Sequence, residues 1–260
     1  MDARTITVAV DGPRATVTLN RPDKLNPLGP DTLTELIEAA RWLDLQRDVC
    51  VVVIAGAGRA FTAGADLLAF GAGGAAGGAL GTREGADLGR QMADALEAMR
   101  AVTIARIHGH CVGGGVVLAS ACDLRVAAAG TRFAIPELEL GIPLTWGGVP
   151  RLVREIGPSM TKELVMTGRP FDADEAKAIG LVNRVVAADD VEAEVDRMVE
   201  VLAARSPFTL EATKRRVDAI SESMVGTAGA WGDADAMVTA LRDPASRAVA
   251  TRYLEGLGDR

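Results

Sequence analysis

Residues 108–125 read HGHCVGGGVVLASACDLR, and this stretch decides the fold class. The apolar segment VTIARIHG (102–109) leads into it, and the glycines at 113–115 open an apolar helix that reaches about Ala121. The strand-like segment DLRVAAA (123–129) follows directly. A strand, a glycine turn, a helix and another strand in this order predict an α/β protein.

The same alternation occurs upstream of this stretch. The segments ITVAVDG (6–12) and ATVTLN (15–20) flank a turn and predict a β-hairpin. Apolar residues spaced three and four apart predict a helix over about 31–46. VCVVVIAG (49–56) is a nearly continuous apolar run, which is typical of a strand covered on both faces.

The remaining chain predicts a core followed by helices. Residues 71–81, GAGGAAGGALG, predict a loop, either a flexible surface loop or one that adapts around a ligand, and a helix follows over about 84–100. From about Val191 onward only helical patterns appear. We therefore expect an α/β core over 1–200 and a C-terminal helical module over 201–260.

The composition excludes several classes of function. The chain has 260 residues, of which 48% are hydrophobic and 24% charged, so it is globular and not disordered. A net charge of −7 argues against nucleic-acid binding. We find neither a signal peptide nor a run of about 18 apolar residues, so no membrane span is expected. Three cysteines without CxxC spacing favour reduced thiols in a cytoplasmic protein.

Five segments match one protein family in the same order. They are LNRPDKLNPL (19–28), AGAGRAFTAGAD (55–66), HGHCVGGGVVLASACDLR (108–125), FAIPELELGIPLTWGGVPRL (133–152) and TGRPFDADEAKAIGLVNRVV (167–186). Together they resemble the crotonase family, also called the enoyl-CoA hydratase/isomerase superfamily. The resemblance covers about residues 5–200.

This resemblance implies a fold, an assembly and a ligand. The fold is a crotonase-like spiral of ββα units, with a C-terminal helical module that assembles homotrimers or homohexamers and covers the active site. The ligand is an acyl-CoA thioester, so coenzyme A is part of the substrate and no separate cofactor or metal is needed.

The resemblance also implies an oxyanion hole made by the backbone N–H groups of Ala65 and Gly114. Fixed donors stabilise the enolate oxygen of a reacting thioester, and one donor is typically worth about 10²–10³ in rate. Glycines such as Gly113 and Gly114 let the main chain approach a ligand closely, and the start of a helix adds positive potential. Without the other segments, these glycines would more readily indicate tight turns and close packing.

The carboxylates predict the kind of reaction. Hydratases of this family use two glutamates; Pro136-Glu137 matches one, while Val117 occupies the place of the other. Glu137 among apolar neighbours would have a raised pKa, suited to an acid/base. One base suffices to move a proton between two carbons, so we expect double-bond isomerisation more than efficient hydration. A binding protein that retains the acyl-CoA site without chemistry is the alternative.

The remaining candidate residues concern binding of the thioester. We expect the ligand to be lined by Lys24, Leu25, Ala63, Asp66, Leu67, Gly113, Val117 and Trp146. A lysine that the family often has after the aspartate is Leu68 here, which removes one phosphate contact. Lys214 could contribute a charge and Phe208 could pack on the ligand of a neighbouring subunit, although the charges of Lys24 and Lys214 could equally be solvated.

Two rival interpretations are weaker. His108 and His110 form an H-x-H pair without an apparent third ligand, so packing, or for His110 a place in the acyl pocket, is expected in preference to a metal site. The sequence GAGRAF (56–61) has Phe61 where a dinucleotide-binding loop has its third glycine. A nucleotide-dependent dehydrogenase is therefore a third and weaker possibility.

Overall fold

The computed structural model describes residues 3–258, and for residues 68, 70–79, 254 and 256–258 it describes the backbone only. The strands are β1 (Ile6–Asp11), β2 (Arg14–Leu19), β3 (Val51–Gly56), β4 (Val102–Ile107), β5 (His110–Val112), β6 (Leu124–Ala128), β7 (Arg132–Ala134), β8 (Phe171–Asp172) and β9 (Arg184–Val186). The helices are α1 (Pro30–Asp44), α2 (Leu67–Glu97), α3 (Gly114–Ser120), α4 (Gly148–Thr167), α5 (Ala173–Ala178), α6 (Val191–Ala203), α7 (Pro207–Met224), α8 (Asp233–Ala240) and α9 (Pro244–Gly258).

The strands form two sheets. The larger has the order β1-β2-β3-β4-β6-β9; β1 and β2 are the predicted antiparallel hairpin, and the other neighbours are parallel. The smaller sheet has the order β5-β7-β8. Helix α3 connects β5 of the small sheet to β6 of the large one. The predicted α/β class is confirmed, and the N-terminus of α3 lies at the junction of the two sheets.

Strand β3 lies at the centre of the core and is buried along its whole length. Val52 and Ile54 belong to the main hydrophobic cluster, whereas Val51 and Val53 pack against the cluster that contains Val195 of α6. Successive side chains of a strand point to opposite faces, so an uninterrupted apolar run suits a strand with a hydrophobic layer on each side. The prediction that this strand is covered on both faces is confirmed.

Helix α2 corrects the predicted loop at 71–81. The helix begins at Leu67, runs through the glycine-rich segment and includes the helix expected after residue 84. The side chain of Asp66 accepts a hydrogen bond from the N–H of Ala69 (3.1 Å) and so caps the first turn. Each glycine costs a helix about 1 kcal/mol relative to alanine. The helix forms in spite of this local cost, with the cap at Asp66 and the burial of Met92 and Leu96 among the features that stabilise it.

The chain after β9 is helical, as the sequence predicts. Helices α6 to α9 follow one another, and α8 packs on α2, where Arg83 forms an ion pair with Asp235 (2.8 Å). Nowhere between residues 3 and 258 is a helix both long enough and apolar enough to cross a membrane.

Candidate active site

The segment that precedes α2 runs beside strand β5. The N–H of Val112 donates to the carbonyl of Thr62 (3.3 Å). A β-carbon added to Gly64 would lie 2.5 Å from the carbonyl oxygen of Val112 and 3.7 Å from the backbone nitrogen of Gly114. Only glycine permits this approach, and the φ of +93° at Gly64 also favours it. The approach brings the backbones around Ala65 and Gly114 side by side.

The backbone N–H groups of Ala65 and Gly114 are not used by the fold. The N–H of Leu28 donates to the carbonyl of Gly64 (2.8 Å), and the carbonyl of Leu28 accepts from the N–H of Asp66 (3.1 Å). These two hydrogen bonds form a β-bridge that uses the residues on either side of Ala65 and leaves the N–H of Ala65 itself free. Gly114 is the first residue of α3, where N–H groups have no partner within the helix. Within residues 3–258 neither N–H is paired with an acceptor. Two neighbouring donors are therefore available to one ligand oxygen.

The carboxyl group of Glu137 lies against the start of α3. A β-carbon added to Gly113 would lie 2.5 Å from Oε1 of Glu137. Gly113 has φ +52° and ψ −118°, and its N–H donates to the carbonyl of Ala134 at the end of β7 (2.8 Å). Because the glycine lacks a side chain, the carboxyl group reaches the backbone next to the donor at Gly114.

Burial sets the protonation of this carboxyl group. Glu137 is only 9% exposed, and among the described residues its Oε2 has no hydrogen-bond partner. Loss of solvation raises the pKa of the Glu137 carboxyl to about 7. Near neutral pH the group therefore exchanges readily between acid and base, which is the property that a general acid/base requires.

Val117 lies one turn along α3 from Gly114 and is fully buried. A β-carbon added to Gly148 would lie 2.7 Å from Cγ2 of Val117, so this side chain packs between α3 and the start of α4. It offers only methyl groups and can neither hold a water molecule nor transfer a proton. The position that carries a glutamate in the family pattern is part of the apolar core here.

The indole of Trp146 fills the space between α2 and α3. A β-carbon added to Gly114 would lie 2.2 Å from Cζ3 of the ring, and one added to Gly89 would lie 1.9 Å from Cδ2. The ring therefore lies directly on the Cα atoms of both glycines, and Trp146 is only 5% exposed. The sequence predicts Trp146 near the ligand, but it does not predict its contact with Gly89.

Three expected binding residues lie on the exposed side of the donor pair. Lys24 and Ala63 are exposed, and the N–H of Ala63 donates to the carbonyl of Leu25 (2.9 Å). Leu25 has a φ of +59° and ends the short 3-10 helix Pro22–Lys24. This arrangement keeps Lys24 at the surface beside the start of α2.

Asp66 and Leu67 have local roles as well as their position beside the donor at Ala65. Asp66 caps α2 and forms an ion pair with Arg21 (3.2 Å), so its carboxylate is engaged on two sides. Leu67 is 44% exposed at the first turn of α2. The capping role has a sequence signal, since an aspartate followed by helix formers is a common N-cap.

Lys214 does not supply a free charge. Its ammonium group is buried, donating to the carbonyl of Ala101 (3.0 Å) and to Asp123 (2.8 Å). Neither alternative given for Lys214, a charge for the ligand or a solvated charge, holds, because both contacts tie α7 to the residues that precede β4 and β6. Phe208, at the start of α7, is 76% exposed.

The two histidines are separated by their surroundings. His108 contacts the carbonyl of Gly58 through Nε2 (2.9 Å), whereas His110 is exposed on β5. In the part of the chain that the structure describes, no group of three or more His, Cys, Asp or Glu side chains could hold a metal ion. No helix begins directly after the glycines at 56 and 58, since α2 begins only at Leu67.

Comparison with known proteins identifies the family. The family model for enoyl-CoA hydratase/isomerase matches residues 14–258. The chain belongs to the enoyl-CoA hydratase/isomerase family. A probable enoyl-CoA hydratase of Mycobacterium tuberculosis is 36% identical over 234 residues, which are 86% of this chain and 84% of that protein. The crotonyl-CoA hydratase of Syntrophomonas wolfei is 37% identical over 201 residues, 77% and 76% of the two chains.

The fold of the family is also confirmed by a solved structure. An enoyl-CoA hydratase/isomerase from Mycobacterium paratuberculosis superposes with a TM-score of 0.87 at 28% identity, covering 97% of this chain and all of that one (100%). The crotonase-like architecture expected from the sequence is therefore correct. In this family member, the free N–H groups of Ala65 and Gly114 and the buried carboxyl group of Glu137 lie around the N-terminus of α3.

Replacing Glu137 with glutamine is expected to stabilise the folded protein at pH 8. The pKa of the carboxyl is about 7 when folded and about 4.3 when unfolded, so the folded state holds the proton more tightly. The stability contributed by the neutral acid is present below the unfolded pKa and is lost as the pH rises through 7. The amide avoids this loss, which amounts to about 4 kcal/mol at pH 8 and about 1 kcal/mol at pH 5.

Urea unfolding of both proteins at the two pH values measures this difference. The exposed Glu139 gives the matched control, because Glu139→Gln should change the free energy of unfolding by less than about 0.5 kcal/mol. A Glu137→Gln difference that is the same at pH 5 and pH 8 would contradict burial of an ionisable carboxyl at this position.

Proposed function

We propose that this enoyl-CoA hydratase/isomerase family member shifts the double bond of enoyl-CoA thioesters. In this proposal the N–H groups of Ala65 and Gly114 bind the thioester oxygen and Glu137 moves the proton. The observation that carries it is the buried carboxyl group of Glu137 close to two backbone donors that have no acceptor among the described residues. The reaction consumes no oxidant and needs no cofactor beyond the coenzyme A of the substrate.

The proposed reaction uses one carboxyl group twice. Starting from a 3-enoyl thioester, the Glu137 carboxylate removes a proton from the α-carbon, and the electron pair moves onto the carbonyl oxygen as a dienolate. The two N–H groups stabilise this oxyanion, each contributing about 10²–10³ in rate. The protonated Glu137 then returns the proton to the γ-carbon, which leaves a 2-enoyl thioester. The substrate gains and loses one proton and no electrons.

The raised pKa of Glu137 suits both halves of this cycle. A pKa of about 7 leaves much of the group as a carboxylate at neutral pH, ready to remove the α-proton. A poorly solvated carboxylate is a stronger base than a solvated one. Once it is protonated, the carboxylic acid can still donate its proton to the γ-carbon. A solvated glutamate, with a pKa near 4.3, would be a weaker base for this carbon acid.

Hydration is the second candidate reaction, and the names of the relatives favour it. The short-chain-enoyl-CoA hydratase of Clostridium acetobutylicum is 32% identical over 235 residues. Hydration requires that a water molecule be held and deprotonated near the β-carbon. Val117, fully buried and apolar, gives that water no polar partner. We therefore propose that hydration is the slower reaction here.

A panel of thioesters tests the choice between these reactions. Purified protein should convert 3-enoyl-CoA to 2-enoyl-CoA at least tenfold faster than it hydrates 2-enoyl-CoA. Glu137→Gln should lower the isomerisation rate by about 10³ or more, because the amide cannot accept the α-proton. Hydration that exceeds isomerisation in the wild-type protein would overturn the proposal. Binding of the thioesters without turnover of any of them would favour a non-catalytic acyl-CoA-binding protein.

Restoring a second carboxyl group should restore hydration. Val117→Glu is expected to raise the rate of 2-enoyl-CoA hydration at least tenfold over wild type, because it supplies an acceptor for the attacking water. Val117→Gln is the matched control, with the same length and no titrating group. The rate of product formation is measured by absorbance, and thermal unfolding checks that each variant is folded. No gain in a folded Val117→Glu variant would contradict the role that we give to Val117.

The C-terminal helices support a proposal about assembly. We propose that residues 201–260 form a module that assembles the protein as a homotrimer or homohexamer and covers the site. Val217, Ile220 and Met224 leave apolar side chains exposed along α7. A β-carbon added to Gly141, in the turn after Glu137, would lie 2.1 Å from the carbonyl oxygen of Ser246 in α9, so α9 packs close to the turn that follows Glu137.

We propose the cytoplasm as the location of the protein, in line with three buried free cysteines.

A further inference from the structure

We propose that Trp146 closes the acyl pocket and restricts this enzyme to short-chain acyl-CoA thioesters. The inference rests on the function proposed above, since it assumes that the thioester oxygen binds between Ala65 and Gly114. It adds a residue that determines specificity and a class of substrate.

The exposed side of the site fixes the direction of the substrate. Lys24 and Ala63, which flank the donor at Ala65, are exposed, so the large and charged coenzyme A portion must leave the site on this side. The acyl chain leaves the same carbonyl carbon in the other direction. In this proposal it therefore extends past Glu137 into the interior of the protein.

The interior is blocked by the indole. The six-membered ring of Trp146 lies on Gly114, within 2.2–2.9 Å of where its β-carbon would be. The bond shared by the two rings lies on Gly89, at 1.9–2.1 Å from the corresponding point. The indole thus spans the gap from α3 to α2, and in this proposal a chain that continues inward from the reacting carbons meets the ring.

The indole is held in this position by its backbone. Trp146 has a φ of +63°, and the next residue, Gly147, is fixed from two directions. The guanidinium group of Arg151 donates to the carbonyl of Gly147 (3.2 Å), and Asp233 of α8 accepts from the N–H of Gly147 (2.8 Å). Arg151 is itself 1% exposed and paired with Asp94 of α2 (2.8 Å). A turn fixed in this way supports a rigid wall.

A rigid apolar wall discriminates strongly by chain length. In a pocket of fixed depth each additional methylene is worth about 10–200-fold in specificity. When the wall cannot move, the affinity for the thioester falls by this factor for each carbon that does not fit into the pocket. Replacing the indole by a methyl group frees the volume of several methylenes, and longer chains should then gain that factor for each carbon admitted.

Calorimetric binding of saturated thioesters tests this directly, because butyryl-CoA and octanoyl-CoA have no double bond to react. We expect the wild-type protein to bind butyryl-CoA at least tenfold more tightly than octanoyl-CoA. Trp146→Ala should raise the ratio of octanoyl to butyryl affinity at least 100-fold, and Trp146→Phe should raise it by less. Trp42→Ala removes a tryptophan from the outer face of α1 and should leave the ratio unchanged.

The outcomes separate this inference from the proposed function. A wild-type preference for octanoyl-CoA, or an unchanged ratio in folded Trp146→Ala, would overturn it. If Trp146→Ala does not fold, the ratio for Trp146→Phe decides, and an unchanged ratio there overturns the inference as well. Chain-length selection that depends on Trp146 without isomerase turnover would support the inference and refute the proposed function. Failure to bind any of these thioesters would refute both.

Discussion

The close approach of two backbone segments at Gly64 and Gly113 is the constraint on which the site depends. A side chain at Gly64 would collide with the carbonyl of Val112, and one at Gly113 would collide with the carboxyl of Glu137. These contacts bring the N–H donors of Ala65 and Gly114 close together and place the carboxyl of Glu137 next to the segment that carries Gly114. Because the donors belong to the main chain, the surrounding β-strands and helix α3 fix their geometry, and no side-chain reorganisation is needed when charge develops on a substrate.

The same packing lowers the stability of the folded protein. Glu137 is buried without a partner for Oε2 within the described residues, which disfavours its charged form and lowers stability at alkaline pH. Other buried charged groups do have ion-pair partners, such as Lys214 with Asp123 and Arg151 with Asp94. A buried ionisable group without an ion-pair partner, next to unused backbone donors, is a combination that functional sites tolerate and stable cores avoid.

The sequence predicts what periodicity and glycine spacing control, and fails where packing outweighs local composition. Strand β3 and helix α3 were predictable, because a continuous apolar run and a glycine-led helix each carry a strong local signal. The segment at 71–81 is helical in spite of its glycines, because the cap at Asp66 and the packing of later turns set the state of the whole helix. The burial of Lys214 and the contact of Trp146 with Gly89 depend on residues distant in sequence, so no local pattern could predict either.

In the proposed reaction the N–H groups of Ala65 and Gly114 polarise the carbonyl of a bound thioester. Infrared difference spectra of an enoyl-CoA labelled with ¹³C at the thioester carbonyl measure this polarisation in the complex with Glu137→Gln, where the substrate is not consumed. Two converging donors withdraw electron density from the C=O bond, so we expect a stretching band at lower frequency than that of the same thioester in water. A band at the frequency found in water, or higher, would rule out this role for the two N–H groups.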